Sequence, residues 1–225
     1  MIEFKNVSKV FEVGNKNRVT ALHDVNFSIN KGEIVLLEGP SGSGKSTILS
    51  LLAALSKPSS GEIIVAQKRI SKLSDDFTAI FRRENIGFIF QKFNLIPTLS
   101  AKENAMVPLI PSNPDVKQLE AHIHTLFEKF SILPKLNIMA KNLSGGEQQR
   151  VAISRALINN PSIIIADEPT ANLDKSLSLE FIEIVKKLKD GHNTIIIASH
   201  DPLFFDLDFI DRRIYIKNGE IDSCS

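Results

Sequence analysis

Nine residues, Gly39-Pro40-Ser41-Gly42-Ser43-Gly44-Lys45-Ser46-Thr47, constrain this chain more than any other stretch. They follow a short apolar run, Glu33–Glu38 (EIVLLE), and they precede Ile48–Leu55, which reads as a helix beginning at about Ser46. A GxxxxGK[ST] pattern between a strand and a helix is a phosphate-binding loop with a physical reason for each part. The glycines let the backbone turn its N–H groups inward around an anion, and the helix start adds the positive end of its dipole. Lys45 is then a point charge for β- and γ-phosphates, and the Ser46 hydroxyl is placed for Mg²⁺. Gly39, Ser41, Gly42, Ser43, Gly44 and Thr47 complete the cradle.

Such a loop requires a parallel sheet behind it. Ile163–Ala166 and Thr194–Ser199 are, like Glu33–Glu38, short, continuously apolar and rich in branched residues. Strands of that kind are buried on both faces. The first thirty residues differ. Ile2, Phe4, Val7, then Val25, Phe27 and Ile29 alternate with polar residues and predict half-buried antiparallel strands joined through Gly14–Arg18. Two amphipathic stripes predict core-facing helices. One is Leu177, Phe181, Ile184, Val185 and Leu188, ended by Gly191; the other runs from Val116 and Leu119 through Ile123, Leu126 and Phe127 to Phe130. Phe93–Pro114, with four prolines, reads as loop-rich.

Asp167 and Glu168 follow an apolar strand directly, and ligands bind at the carboxyl ends of strands in such sheets. Beside a phosphate loop, Asp167 reads as a Mg²⁺ ligand and Glu168 as the base that polarises an attacking water. His200 ends the third apolar strand in the same way and reads as a γ-phosphate contact. His122 and His124 are two apart, the wrong spacing for two ligands on one helical face.

Leu143-Ser144-Gly145-Gly146-Glu147-Gln148-Gln149-Arg150 is first of all an S-x-x-E capping box on a helix carrying Val151, Ile153, Leu157 and Ile158. The Gly-Gly pair inside the cap leaves N–H groups exposed, so the segment is a second anion site.

With that segment the sequence resembles the ATP-binding subunits of ABC transporters, whose signature LSGGEQQR matches. The resemblance covers essentially the whole chain. It identifies Gln91 with the family's Q-loop glutamine, a water-placing and Mg²⁺-contacting residue. Ala171-Asn172-Leu173-Asp174 matches its D-loop and His200 its switch histidine. Phe11 stands where an aromatic stacks on adenine. GPSGSGKST, IGFIFQKFNLIPTLSAKEN and DEPTANLD are most similar to the branch of macrolide exporters, lipoprotein-release ATPases and the cell-division ATPase.

The resemblance implies an α/β fold: a RecA-like core of the P-loop NTPases, an antiparallel β subdomain that adds roughly Gly61–Ala66, and a helical subdomain inserted at about 92–160. All of 1–225 would form one domain. It implies ATP hydrolysis with Mg²⁺, and a head-to-tail homodimer around two ATP. Ser144, Gly145 and Gly146 of one copy would then meet the phosphates held by Lys45 of the other. It further implies a membrane permease as partner, docking near Gln91–Leu99, and a place on the cytoplasmic face of the inner membrane. The other readings are a soluble ABC ATPase without a permease and a nucleotide-switched scaffold of cell-division type.

Charge and cysteine content narrow the classes. Lys+Arg is 27 against Asp+Glu 26, which gives no reason to expect nucleic acid as a partner. A single cysteine, Cys224, precludes an intrachain disulfide or a Cys-based zinc site. No apolar run approaches the roughly 18 residues of a membrane span, and the first residues lack a signal-peptide core, which together predict a soluble, cytoplasmic chain.

Overall fold

The computed structural model describes residues 1–225 apart from 15–16, 113–114, 190–192 and 225, and the side chains of Val13 and Val116. In chain order the strands and helices are β1 (Ile2–Val13), β2 (Asn17–Ile29), β3 (Ile34–Glu38), α1 (Lys45–Leu52), β4 (Ser60–Val65), β5 (Lys68–Arg69), α2 (Asp75–Asn85), β6 (Ile86–Ile89), α3 (Ala101–Met106), α4 (Val116–Lys129), α5 (Gly145–Leu157), β7 (Ile163–Asp167), α6 (Lys175–Lys189), β8 (Thr194–Ala198), β9 (Arg212–Lys217) and β10 (Glu220–Cys224). Short 3-10 turns link several of them.

Two sheets form. The first is antiparallel, ordered β2-β1-β4-β5; the second is ordered β10-β9-β3-β8-β7-β6. In the second, β9, β3, β8, β7 and β6 run parallel and β10 returns antiparallel along β9. The three apolar runs are its central strands, as their composition predicts. Their residues alternate between two cores, as a period of two requires. Ile34, Leu36, Ile195, Ile197, Ile164 and Ala166 face the core shared with α3–α6. Val35, Leu37, Ile196, Ala198, Ile163 and Ile165 face the core shared with α1 and the antiparallel sheet. Helix α1 is therefore held between two sheets, and its N-terminus is fixed by Ile48, Leu49, Leu51 and Leu52, all at most 1% exposed.

Several sequence expectations are corrected. Asn17 and Arg18 belong to β2, paired with Val13 and Glu12, so the β1–β2 connection is shorter than Gly14–Arg18. Helix α1 begins at Lys45 and stops at Leu52, because Ala54 turns left-handed (φ 50°). The loop-rich stretch Phe93–Pro114 also holds the short helix α3, which the prolines did not announce, capped by a reciprocal Ser100–Glu103 box. Helix α2 has Asp75 and Asp76 in its first turn and Arg82 and Arg83 in its last, charges that favour the helix dipole. The expected stripes lie on α4 and α6; Gly191, placed to end α6, falls outside the described residues.

The β9–β10 hairpin turns at Asn218-Gly219, both with positive φ (51° and 80°), the conformation that Asn-Gly favours. That turn reaches across the molecule. Gly219 N–H donates to the Ser43 carbonyl at 2.9 Å, and the Gly219 carbonyl accepts from His23 N–H at 2.9 Å.

Candidate nucleotide site

The site is assembled by strand register. Leu37 pairs with Ala198, Ala198 with Asp167, and Ala166 with Ile89. The chain thus leaves the sheet on one edge four times, into the phosphate loop, Ser199-His200, Asp167-Glu168 and Phe90-Gln91. One cavity of about 270 Å³ is lined by Ser41–Thr47 together with Ala21, Gln91, Glu168 and His200.

The phosphate loop is held from below. Gly39 has φ 138°, and a Cβ there would overlap the Ile216 carbonyl oxygen on β9, so only glycine fits. Ser43 Oγ is buried and, among the described residues, has no hydrogen-bond partner. A Cβ on Gly42, by contrast, would meet nothing within 4 Å, which leaves that side of the loop open to a ligand. Lys45 is 6% exposed, and its ammonium donates to the carbonyls of Gly39 (2.7 Å) and Pro40 (3.1 Å).

The oxygen donors here fit a hard cation. Ser46 Oγ donates to Asp167 Oδ1 at 2.9 Å. A hydroxyl, a carboxylate and the nearby amide of Gln91 form the oxygen set that Mg²⁺ prefers when substrate phosphates supply the rest. Burial, the largest effect, raises the Asp167 carboxyl above its ordinary value, with the Glu168 charge adding to it and the Ser46 hydrogen bond and Lys45 opposing it. A cation beside it would reverse that penalty.

Glu168 sits at the centre. Its backbone is left-handed (φ 44°), a sparsely populated conformation for a side-chain-bearing residue. The turn is secured by Glu168 N–H donating to the Ala198 carbonyl at 2.8 Å. Oε1 lies 2.9 Å from His200 Nδ1 and 3.7 Å from Lys45 Nζ, and Oε2 accepts from Ser199 Oγ at 3.3 Å. His200 lies two residues beyond β8 rather than at its last residue, and it is exposed. That offset lets Ser199 face inward while the imidazole faces the cavity.

Gln91 is tied by its neighbours. Asn172 Nδ2 donates to the Gln91 carbonyl at 2.7 Å. Arg155, on α5, donates to the carbonyls of Phe93 and Asn94, both at 2.6 Å. Phe93 and Asn94 have φ of 57° and 49°, and the one guanidinium satisfies both carbonyls of this left-handed pair. Arg155 was not singled out by the sequence. Its signal is a lone arginine within the apolar pattern Val151–Leu157, where a charge requires a buried partner. Thr170 and Asp201 were also missed; Thr170 Oγ1 donates to Asp201 Oδ2 at 2.7 Å and joins the two strand-end turns.

Two predicted groups lie outside this cavity. Phe11, on β1, is 42% exposed with Lys9 Nζ 4.9 Å from its ring centre, so it is not a core aromatic. Ser144, Gly145 and Gly146 line a second cavity of about 530 Å³ at the start of α5, which among the described residues shares no lining residue with the first. There Ser144 N–H donates to Glu147 Oε2 (2.8 Å) and Glu147 N–H to Ser144 Oγ (3.3 Å), the predicted capping box. A Cβ on Gly146 would lie 2.6 Å from Leu177 Cδ2, so this glycine lets α5 seat against α6.

A groove of about 270 Å³ runs beside the Gln91 segment, lined by Arg82, Arg83, Phe88, Phe90, Pro108 and Arg155 among others. Of the apolar segment after Gln91, Leu95 packs on the core while Ile96 is 44% exposed.

Comparison with known proteins identifies the family. A family model described as ABC transporter matches residues 22–171. An uncharacterized ABC transporter ATP-binding protein of Methanocaldococcus jannaschii is 42% identical over 221 residues, covering 98% of this chain and 97% of its own. The macrolide export ATP-binding/permease protein MacB of Bdellovibrio bacteriovorus is 42% identical over 201 residues, covering 89% of this chain and 30% of its own. Among solved structures, the dimeric post-hydrolysis state of the ATP-binding cassette MJ0796, bound to ADP and Pi, superposes with a TM-score of 0.91 at 39% identity, over 100% of this chain and 98% of that one. Its fold is that of an ABC ATPase cassette, and the chain belongs to the ABC transporter family as an ATP-binding protein.

Proposed function

We propose that this cassette is the ATP-hydrolysing motor subunit of a transporter, acting as a homodimer that closes around two ATP and drives a separate membrane permease. The permease would be of the efflux, lipoprotein-release or force-transmission kind. The observation that carries the dimer is the pair of separate cavities. The phosphate loop and the LSGGEQQR segment would each offer N–H groups to an anion, yet among the described residues none lines both cavities. One chain would then present them to two separate ligands rather than to one phosphate chain. Two copies related by a twofold axis can, and each pair of half-sites closes the same interface. The dimeric form of the MJ0796 cassette supports this reading.

Within each composite site, the phosphate-loop N–H groups and Lys45 would hold the phosphates, with Phe11 stacking on the adenine. Ser46, Asp167 and Gln91 would hold Mg²⁺, which when bound offsets phosphate charge. Glu168 takes the proton of the attacking water, since its carboxylate is fixed on one side by Ser199 and His200 and faces the cavity on the other. Gln91 and His200 orient that water. Ser144, Gly145 and Gly146 of the second copy supply further donors. Phosphoryl transfer needs such positioning and charge neutralisation more than covalent help.

The permease would seat a short helix in the groove beside Gln91–Leu99. Arg82, Arg83 and Arg155 line that groove with Phe88 and Phe90, so the helix would be amphipathic with an acidic residue. Arg155 would then report docking to Gln91 and to α5 together. The helices between β6 and β7, about 92–160, would move as one inserted subdomain, with the dimer on the cytoplasmic face of the membrane. No helix among the described residues is long and apolar enough to cross a membrane.

The test uses Glu168→Gln as bait, loaded with ATP and Mg²⁺ and incubated with detergent-solubilised membranes of the source cell. Co-purification of a multi-span protein is expected. Recovery of soluble partners alone would favour the permease-free ATPase instead.

A further inference from the structure

The capping box of α5 contains an electrostatic conflict. Its two reciprocal bonds consume the N–H groups of Ser144 and Glu147. Gln148 N–H already bonds the Ser144 carbonyl at 2.8 Å, as the helix requires. The N–H groups of Gly145 and Gly146 stand at positions with no intrahelical acceptor. A Cβ on Gly145 would meet nothing within 4 Å, so the space over these donors is open. The same box, however, places a carboxylate at the mouth of the cavity. Ser144, whose backbone N–H bonds to it, is the largest influence holding Glu147 below the ordinary carboxylate range, with Lys135 helping, so it is anionic at neutral pH. A polyphosphate entering that cavity would meet a like charge.

The charged groups lining the cavity are Lys135, Glu147, Arg150 and Asp174. Two of them are engaged elsewhere. Arg150 is bound to Glu180 at 2.6 Å, and Asp174 Oδ1 accepts from Leu177 N–H at 2.9 Å. Lys135 Nζ lies 3.2 Å from Glu147 Oε1, the carboxylate oxygen not used by the cap. Lys135 ends the 3-10 turn Leu133–Lys135, where its N–H bonds the Ile132 carbonyl at 2.9 Å.

We propose that Lys135 is a positioning residue of the composite ATP site, cancelling and orienting the Glu147 carboxylate so that an acidic capping box can face the phosphates held by a second copy. This rests on the ATP-bridged dimer described above. The pair is partly exposed and contributes little to the fold itself. Its effect lies in what the cavity presents to an anion.

The experiment compares the wild type, Lys135→Met, Glu147→Gln, the double variant and Ser144→Arg, each carrying Glu168→Gln so that ATP is not consumed. Gln retains the capping geometry without the charge. Binding of a fluorescent ATP analogue by the monomer and ATP–Mg²⁺-driven dimerisation by light scattering are read separately. Lys135→Met should raise the ATP concentration for half-maximal dimerisation about 3- to 10-fold, a range set by exchanging one ion pair for one uncancelled charge, and leave monomer binding unchanged. Adding Glu147→Gln should restore it to within about twofold, because the charge that needed cancelling is gone. A Lys135→Met protein that dimerises like wild type overturns the proposal. So does a defect that Glu147→Gln fails to repair, which a merely structural role would give. Ser144→Arg is expected to block dimerisation; if it dimerises normally, the composite-site reading itself fails, whatever Lys135 does.

Discussion

Replacing Glu168 by Gln separates binding from chemistry in this site. The carboxylate accepts from Ser199 Oγ at 3.3 Å and lies 2.9 Å from His200 Nδ1 and 3.7 Å from Lys45 Nζ. Gln keeps one oxygen for His200, and its amide can donate to the Ser199 hydroxyl. The lost charge weakens contacts to donors without leaving a buried group bare, a change of about 1 kcal/mol. For a chain of this size that is about 3 °C in Tm. Lys45 still rests on the Gly39 and Pro40 carbonyls, so the loop keeps its shape, and ATP binding should be unchanged or slightly tighter. Hydrolysis should fall at least ~100-fold, the low end for losing a general base, or about 2.7 kcal/mol of barrier. Phosphate release under saturating ATP–Mg²⁺ measures turnover, and melting in parallel checks the fold. Hydrolysis within tenfold of wild type in a folded, ATP-binding protein would refute Glu168 as base.

Two further outcomes follow from the geometry. Burial raises the Asp167 carboxyl, so its contribution to stability is fully present below the ordinary carboxylate pKa and is lost as pH rises through the raised folded value. Asp167→Asn should therefore raise the Tm without ligand at neutral pH, by up to about 3 °C, while abolishing Mg²⁺-dependent hydrolysis; a lower Tm would contradict this. Arg155→Lys forfeits the two-armed hold on the Phe93 and Asn94 carbonyls. Amide exchange across 92–96 should accelerate at least about fivefold relative to β7, and unchanged protection would show that Arg155 does not hold the segment.

What could be read in advance was whatever local chemistry dictates alone. The phosphate loop, the three apolar strands and the Ser144–Glu147 box each need particular residues at particular spacings, so each is visible in a short window. The Ser100–Glu103 cap and the Asn218-Gly219 turn carry signals of the same kind and were legible but passed over, the first among prolines and the second near the chain's end. Arg155, Thr170 and Lys135 are different. Their partners lie at distant positions or on another segment, as with Arg155 and Phe93 or Thr170 and Asp201. Only the register of the parallel sheet and the docking of α5 bring them together. Roles for Gln91 and Phe11 came through family resemblance rather than from any local pattern, whereas His200 was marked by its place after an apolar strand.

The hairpin at the far end of the chain bears on how the protein is made. The phosphate loop leaves the ribosome early, with residue 47, but Gly39 closes on the Ile216 carbonyl and Ser43 is bonded by Gly219. At ~5–20 residues per second, roughly ten to thirty seconds pass before those residues are even synthesised. During that interval the nascent chain carries the loop sequence without its floor. The closed shape of the loop therefore depends on residues synthesised last, so the local sequence that marks the loop precedes by many seconds the tertiary contacts that hold it.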